Sequence, residues 1–132
     1  MKMLTKNAFL MAMVMMMSLV FIQCKDSVVE QFIKLQVEQT NKQCPVNIGN
    51  GMTMDKCEAA GGKTIKFYIS VPDNIAQGFT LDDSSKATMV SALKTQPDFK
   101  KIKELEVSYH YVYSNKNEKI LGEVEITPED YK

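Results

Sequence analysis

Four sets of residues in this chain are of types that do chemistry: a single histidine, three cysteines, a Gly-Gly-Lys-Thr run and an aspartate pair. His110 could act as a general base, which requires a nucleophile and an orienting acid within hydrogen-bond reach. Strand-like alternation over residues 105–113 turns His110 outward, and its nearest serine, Ser108, is only its neighbour on that same face. No nucleophilic triad assembles from such a placement. A zinc site built from Cys44, Cys57, His110 and a carboxylate would want closely spaced ligand pairs, which the sequence lacks. Gly61-Gly62-Lys63-Thr64 carries the closing letters of a phosphate-binding loop. That loop needs a further glycine at position 57, where this chain has Cys57, and a helix afterwards, where residues 64–71 alternate as a strand. Asp82-Asp83 precedes a helical pattern and reads as its N-terminal cap, not as a metal site. The sequence therefore predicts no enzyme, no cofactor and no metal.

The elements that position these residues follow from periodicity. In "SVVEQFIKLQVEQTNK", Ser27 and Glu30 form a capping box, and Val28, Val29, Phe32, Ile33 and Val37 share one helical face. Glu30 and Lys34 add a favourable pair one turn apart. A first helix is predicted over residues 27–41. Asn50-Gly51 is a strong two-residue hairpin signal. If it forms the turn, opposed residues have numbers that sum to 101, and Cys44 faces Cys57. Their Cα atoms would approach to ~4.5 Å at a non-hydrogen-bonded pair, which a disulfide accommodates. Pro45, lacking an N–H, interrupts the regular ladder there, and the alternative is two buried thiols that never meet.

"KTIKFYISV" alternates, with Ile65, Phe67, Ile69 and Val71 inward and Lys66, Tyr68 and Ser70 outward. An irregular loop over 72–80 leads to a second helix, with Met89, Val90 and Leu93 inward and Pro97 closing it. "KELEVSYHYVYSNKNEKILGEVEIT" reads as a hairpin of two long strands. Setting its apolar faces together requires paired numbers with an odd sum. A sum of 231 opposes Glu106 to Glu125, whereas 233 opposes Glu106 to Thr127 and His110 to Glu123, with Asn115–Glu118 as the loop and Tyr111 over Gly122. The second register is the expected one. Tyr109, Tyr111 and Tyr113 then line the core, with an aromatic binding platform as the alternative. The expected architecture is α+β, in the order α-β-β-α-β-β, a four-stranded antiparallel sheet with helices on one face. Its outward face would gather Lys66, Tyr68, Glu104, Glu106, His110, Glu123 and Glu125.

The first residues address the chain. Lys2 and Lys6 precede fifteen uncharged residues, Ala8–Ile22, in which only Ser18 is polar. That length falls short of the ~20 residues that span a bilayer and suits a secretory signal. No alanine lies between Val14 and Glu58, so an Ala-x-Ala cleavage site is missing. The run ends on Phe21-Ile22-Gln23-Cys24, which resembles the signal of a bacterial lipoprotein; the stricter pattern has Leu where Phe21 stands and a small residue where Gln23 stands. The resemblance implies removal of residues 1–23, acylation of Cys24, and a single small domain over residues 24–132. An uncleaved anchor helix or a secreted protein with a free Cys24 would equally place the domain outside the cytoplasm. Cys24 lipidation leaves an even pair of cysteines, and an exported compartment permits their disulfide.

Of the 16 lysines, all but Lys2 and Lys6 lie beyond residue 23, leaving 14 against 16 carboxylates and a net charge of −2 for the remainder. There is no arginine and no tryptophan. Without arginine forks and with a mildly acidic balance, nucleic acid is not an expected partner. "NKQCP", "KTQPDFK" and "EITPEDYK" resemble a family of small exported bacterial hypothetical proteins, which implies fold and export without a mechanism. The expected function is a lipid-anchored envelope interaction domain facing the periplasm or exterior, of accessory, inhibitor or immunity type, bound to the membrane through Cys24 and to an envelope protein. The alternative is a ligand-binding module for a small molecule, glycan or peptide.

Overall fold

A computed structural model of the chain describes residues 27–132. The expected signal segment and Cys24 lie outside the described residues. Two compact units divide at residues 32 and 33. Of the first, residues 27–32 are described and are helical. The helix α1 covers residues 27–43, and Val28 of the expected apolar stripe is exposed.

The second unit, residues 33–132, is built around a five-stranded mixed sheet in the order β1-β2-β3-β4-β5. The strands are β1 (Val46–Gly49), β2 (Met52–Ala59), β3 (Thr64–Ser70), β4 (Ser108–Ser114) and β5 (Ile120–Ile126). The helices after α1 are α2 (Asp73–Ala76), α3 (Asp83–Lys94), α4 (Phe99–Leu105) and α5 (Pro128–Tyr131). The expectation of four antiparallel strands is corrected here. β1, β2 and β3 form an antiparallel meander and β4 and β5 a hairpin, but β3 and β4 run parallel. A parallel neighbour requires a long crossover, and the segment carrying α2, α3 and α4 supplies it.

The first hairpin turns where its sequence predicts. Asn50 and Gly51 both have positive φ, 56° and 79°, as a two-residue turn matched to strand twist demands. Gly49 opposes Met52, but an extra residue then shifts the register, and Asn47 opposes Thr53. The Asn47 side chain accepts the Gly49 N–H at this irregularity, 2.8 Å. A second irregularity sits in β2 between Met54 and Lys56, where Asp55 is the extra residue against β3.

The second hairpin differs from expectation in two ways. Residues 99–105 are helical, so neither Glu104 nor Glu106 belongs to a strand. Glu106 instead takes a left-handed conformation, φ 55°, that stops α4, and the Val107 N–H closes onto the Ile102 carbonyl at 3.2 Å. β4 consequently starts late, and the register slides by two. His110 opposes Glu125 and Tyr113 opposes Gly122. A two-residue slide conserves which face each side chain occupies, so the inward tyrosines stay inward. A Cβ on Gly122 would come within 2.8 Å of Leu81 Cδ1, so the loop before α3 packs against bare backbone there.

The core lies on the face carrying Cys57, Ile65, Phe67, Ile69, Tyr109, Tyr113, Val124 and Ile126, all buried. Phe67 stacks on Tyr109 and Tyr111, and Phe79 packs against Tyr113. Asp82 caps α3 as expected, accepting the Ser85 N–H at 2.8 Å, and these bonds hold its carboxyl below the usual range. Of the expected inward residues of α3, Leu93 is buried and Met89 and Val90 are half-buried. Tyr131 closes the core from α5. Its hydroxyl, on a side chain 1 % exposed, donates to the Val107 carbonyl at 2.8 Å, with the Ile102 carbonyl at 3.3 Å.

Tyr131→Phe removes that donor and leaves the Val107 carbonyl unsatisfied, so it should cost ~1–3 kcal/mol in chemical denaturation. Burial also pushes the Tyr131 and Tyr111 hydroxyls up to about 12 from the ordinary tyrosine value. The folded chain then holds protons that the unfolded chain releases first. The contribution of these tyrosines to stability should be constant below the ordinary tyrosine pKa and fall as pH rises from there toward 12, seen as a declining melting temperature. Tyr131→Phe should shallow that decline.

Candidate functional site

Opposite the core, the sheet presents a second face whose composition follows from register. β3 and β4 are parallel and in step, so Lys66 lies beside His110, Tyr68 beside Val112, and Ser70 beside Ser114. Antiparallel pairing outward on each side completes three transverse rows. The first runs Glu58, Lys66, His110, Glu125; the second Lys56, Tyr68, Val112, Glu123; the third joins Ser70 and Ser114 to Ile120. Asp55, the extra residue of β2, adds to the third row, its carboxylate accepting from the Ser70 hydroxyl.

The second row is the most organised. The Tyr68 ring is approached by two ammonium groups, Lys56 Nζ at 4.9 Å and Lys66 Nζ at 5.3 Å from its centroid. Cations over a ring face are attracted by its quadrupole. The Tyr68 hydroxyl donates to Glu58 Oε1, a bond that raises its pKa, with burial adding and Lys66 opposing. Val112, on the outward face, is nevertheless 3 % exposed, because flanking side chains cover it. Beyond it, His110 Nε2 and Glu123 Oε1 lie 3.1 Å apart.

The second and third rows and the β4–β5 loop enclose a concavity of about 480 Å³. Asn115 shapes the loop, its side-chain oxygen accepting from the N–H groups of Asn117 and Lys119 at 2.9 and 3.0 Å. Lys116 reaches Asp73 at 2.6 Å. The rim carries Ile120, an exposed aliphatic side chain at 56 %. Ionisable side chains around the concavity balance, with Lys56, Lys66 and Lys116 against Asp55, Glu118 and Glu123. A polyanion site would need a marked basic excess, so this lining suits a partner carrying both signs.

Of the seven residues expected on this face, Lys66, Tyr68, His110, Glu123 and Glu125 are brought together. Glu104 and Glu106 are not, because α4 takes them off the sheet. Glu106 lies instead near Lys63 and Lys132, at 3.9 and 4.0 Å. Sequence reasoning missed Lys56, Glu58, Val112 and Ile120. Alternation could have found Val112, two residues from His110, but its apolar character argued for the core. Lys56 was hidden by the irregularity at Asp55, which changes the parity of β2. Cys44 and Cys57 are both free thiols in this structure. Burial lifts the pKa of each. Among the described residues no cluster of three or more histidine, cysteine or carboxylate side chains gathers as a metal site, and no helix is long and apolar enough to cross a membrane.

The family described as a domain of unknown function (DUF8479) matches residues 27–122. The chain belongs to this family. The match takes in "NKQCP" and "KTQPDFK" and stops before the terminal "EITPEDYK". No protein with a curated description matches the sequence. Among solved structures, a Pseudomonas aeruginosa protein whose secretion is inferred superimposes with a TM-score of 0.70 at 11 % identity, covering 82 % of this chain and 96 % of that one. The type II secretion system pilotin EpsS of Vibrio vulnificus gives 0.67 at 10 % identity, with 82 % and 96 % covered. The pilotin AspS of Vibrio cholerae gives 0.62 at 14 % identity, with 80 % and 94 % covered. At these identities the likeness is one of fold.

Proposed function

We propose that this chain is an envelope-held interaction domain that takes a peptide segment of a protein partner on the sheet face that carries Tyr68 and His110. The row Lys56–Tyr68–Val112–Glu123 carries the reading. With Lys66 from the first row, it sets two cations about the Tyr68 ring on one side and a carboxylate on the other, within a concavity that opens to solvent and carries Ile120 at its rim. The complementary occupant presents one apolar side chain to Ile120 and the Tyr68 ring, an acidic group toward Lys56 and Lys66, and a basic group toward Glu123 and Glu125. Opposed potentials of this kind set orientation and association rate. The lining is mostly polar and charged, whereas small-ligand sites are lined mainly by apolar and aromatic side chains. Sharing a fold with two secretion-system pilotins supports a role at the envelope. The Phe21–Cys24 segment supports anchoring, since acyl chains at ~0.8 kcal/mol per buried CH₂ hold a domain to a bilayer.

Two experiments test this reading. Cys24→Ala should move the chain from the detergent phase to the aqueous phase on phase separation, and the parent's intact mass should show cleavage and acylation at Cys24. An unmodified, full-length parent would remove the anchor from the proposal. For the face, a photo-crosslinking residue at Tyr68 or Ile120, expressed in the native envelope, should yield one discrete protein adduct. The same residue at Lys103 on α4 should not. The double variant Glu123→Lys/Glu125→Lys, shown folded by its melt, should reduce the adduct several-fold and weaken its dependence on salt. An adduct that forms equally from Lys103, or that ignores the charge reversal, rejects the sheet face as the site.

A further inference from the structure

We propose that Cys44 and Cys57 are a dithiol that closes into a disulfide on oxidation, tying the end of α1 to β2. Cys44 follows the last turn of α1, and Cys57, in β2, is hydrogen-bonded to that turn. The Cys44 N–H donates to the carbonyls of Thr40 and Asn41, each at 3.2 Å. The Asn41 side chain grips Cys57 at both backbone groups, accepting its N–H at 2.9 Å and donating to its carbonyl at 3.0 Å. The Cys57 Sγ in turn lies 3.7 Å from the Val37 carbonyl. One short helical turn thus fixes both residues.

The strand pairing is compatible with this. β1 pairs with β2 as far as Val46 and Met54, so the chain leading back from β1 to Cys44 lies at the end of the pairing beyond which β2 runs on to Cys57. Their sulfurs are also near enough that Cys44 adds, after burial and against the Thr40 hydroxyl, to the rise in the Cys57 pKa.

The step balances with a small-molecule or protein disulfide as oxidant. Cys44, the more exposed of the two, attacks one oxidant sulfur as its thiolate and expels the other, which takes up a proton. Cys57, 3 % exposed and out of the oxidant's reach, then attacks the Cys44 sulfur and releases the second oxidant thiol. Two S–H bonds are lost, one S–S bond forms, and the oxidant is reduced to two thiols.

The test uses the purified full chain with oxidised glutathione. The product should be lighter than the reduced form by about 2 Da, should take up no maleimide at Cys44 or Cys57 in denaturant, and should yield a linked Cys44–Cys57 peptide. The oxidised form should melt at a higher temperature than the reduced one, and Cys44→Ala should abolish that difference while folding as the reduced parent does. Glutathione retained on Cys44, two free thiols after oxidation, a link from either residue to Cys24, or a disulfide-joined dimer would each overturn the proposal.

Discussion

The parallel, in-step pairing of β3 with β4 is the constraint on which the rest of this molecule depends. Parallel neighbours in register keep side chains of both strands on matching faces, residue for residue. Ile65, Phe67 and Ile69 therefore meet Tyr109, Tyr111 and Tyr113 on the core side, while Lys66, Tyr68 and Ser70 meet His110, Val112 and Ser114 on the other. One pairing builds the aromatic stack that stabilises the fold and the row that forms the candidate site. A slip of one residue would exchange the two sets and lose both.

Separation of roles between the faces is consistent with the chemistry of each. Core-side aromatics bury large area with few polar groups to satisfy, and Tyr131 finds its carbonyl partners. Tyr109 is the exception among the described residues, its buried hydroxyl having no protein partner. The open face holds charged groups at its margins and an apolar strip between them. Edges and faces charged in this way discourage indiscriminate sheet-to-sheet association.

How much of this was legible depended on whether local chemistry carried the signal. Asn50-Gly51 encodes its turn because positive φ at two successive residues has few other solutions. Asp82 encodes a cap for the same reason. The inward tyrosines were legible because face assignment survives a slide of two residues. By contrast, "FKKIKELEVSY" satisfies both periods, since Phe99, Ile102 and Leu105 recur every third residue while Leu105, Val107 and Tyr109 recur every second. Glu106 gives no glycine signal for the left-handed stop it makes. The parallel pairing is invisible locally, because it joins segments separated by three helices. The irregularity at Asp55 requires no special residue, and so Lys56 and Glu58 were lost from the expected face.

That long crossover has a consequence for how the chain acquires its shape. The β1–β2–β3 meander and the β4–β5 hairpin are each made of neighbours in sequence and close short loops. Their junction must bring together residues with the whole α2–α4 segment between them, and closure entropy is spent before any contact returns it. The sheet is thus expected to assemble as two local halves whose central seam zips late. Until it does, Phe67 and Tyr109 each present an uncovered aromatic face, and the two halves are held together by nothing but the connecting chain.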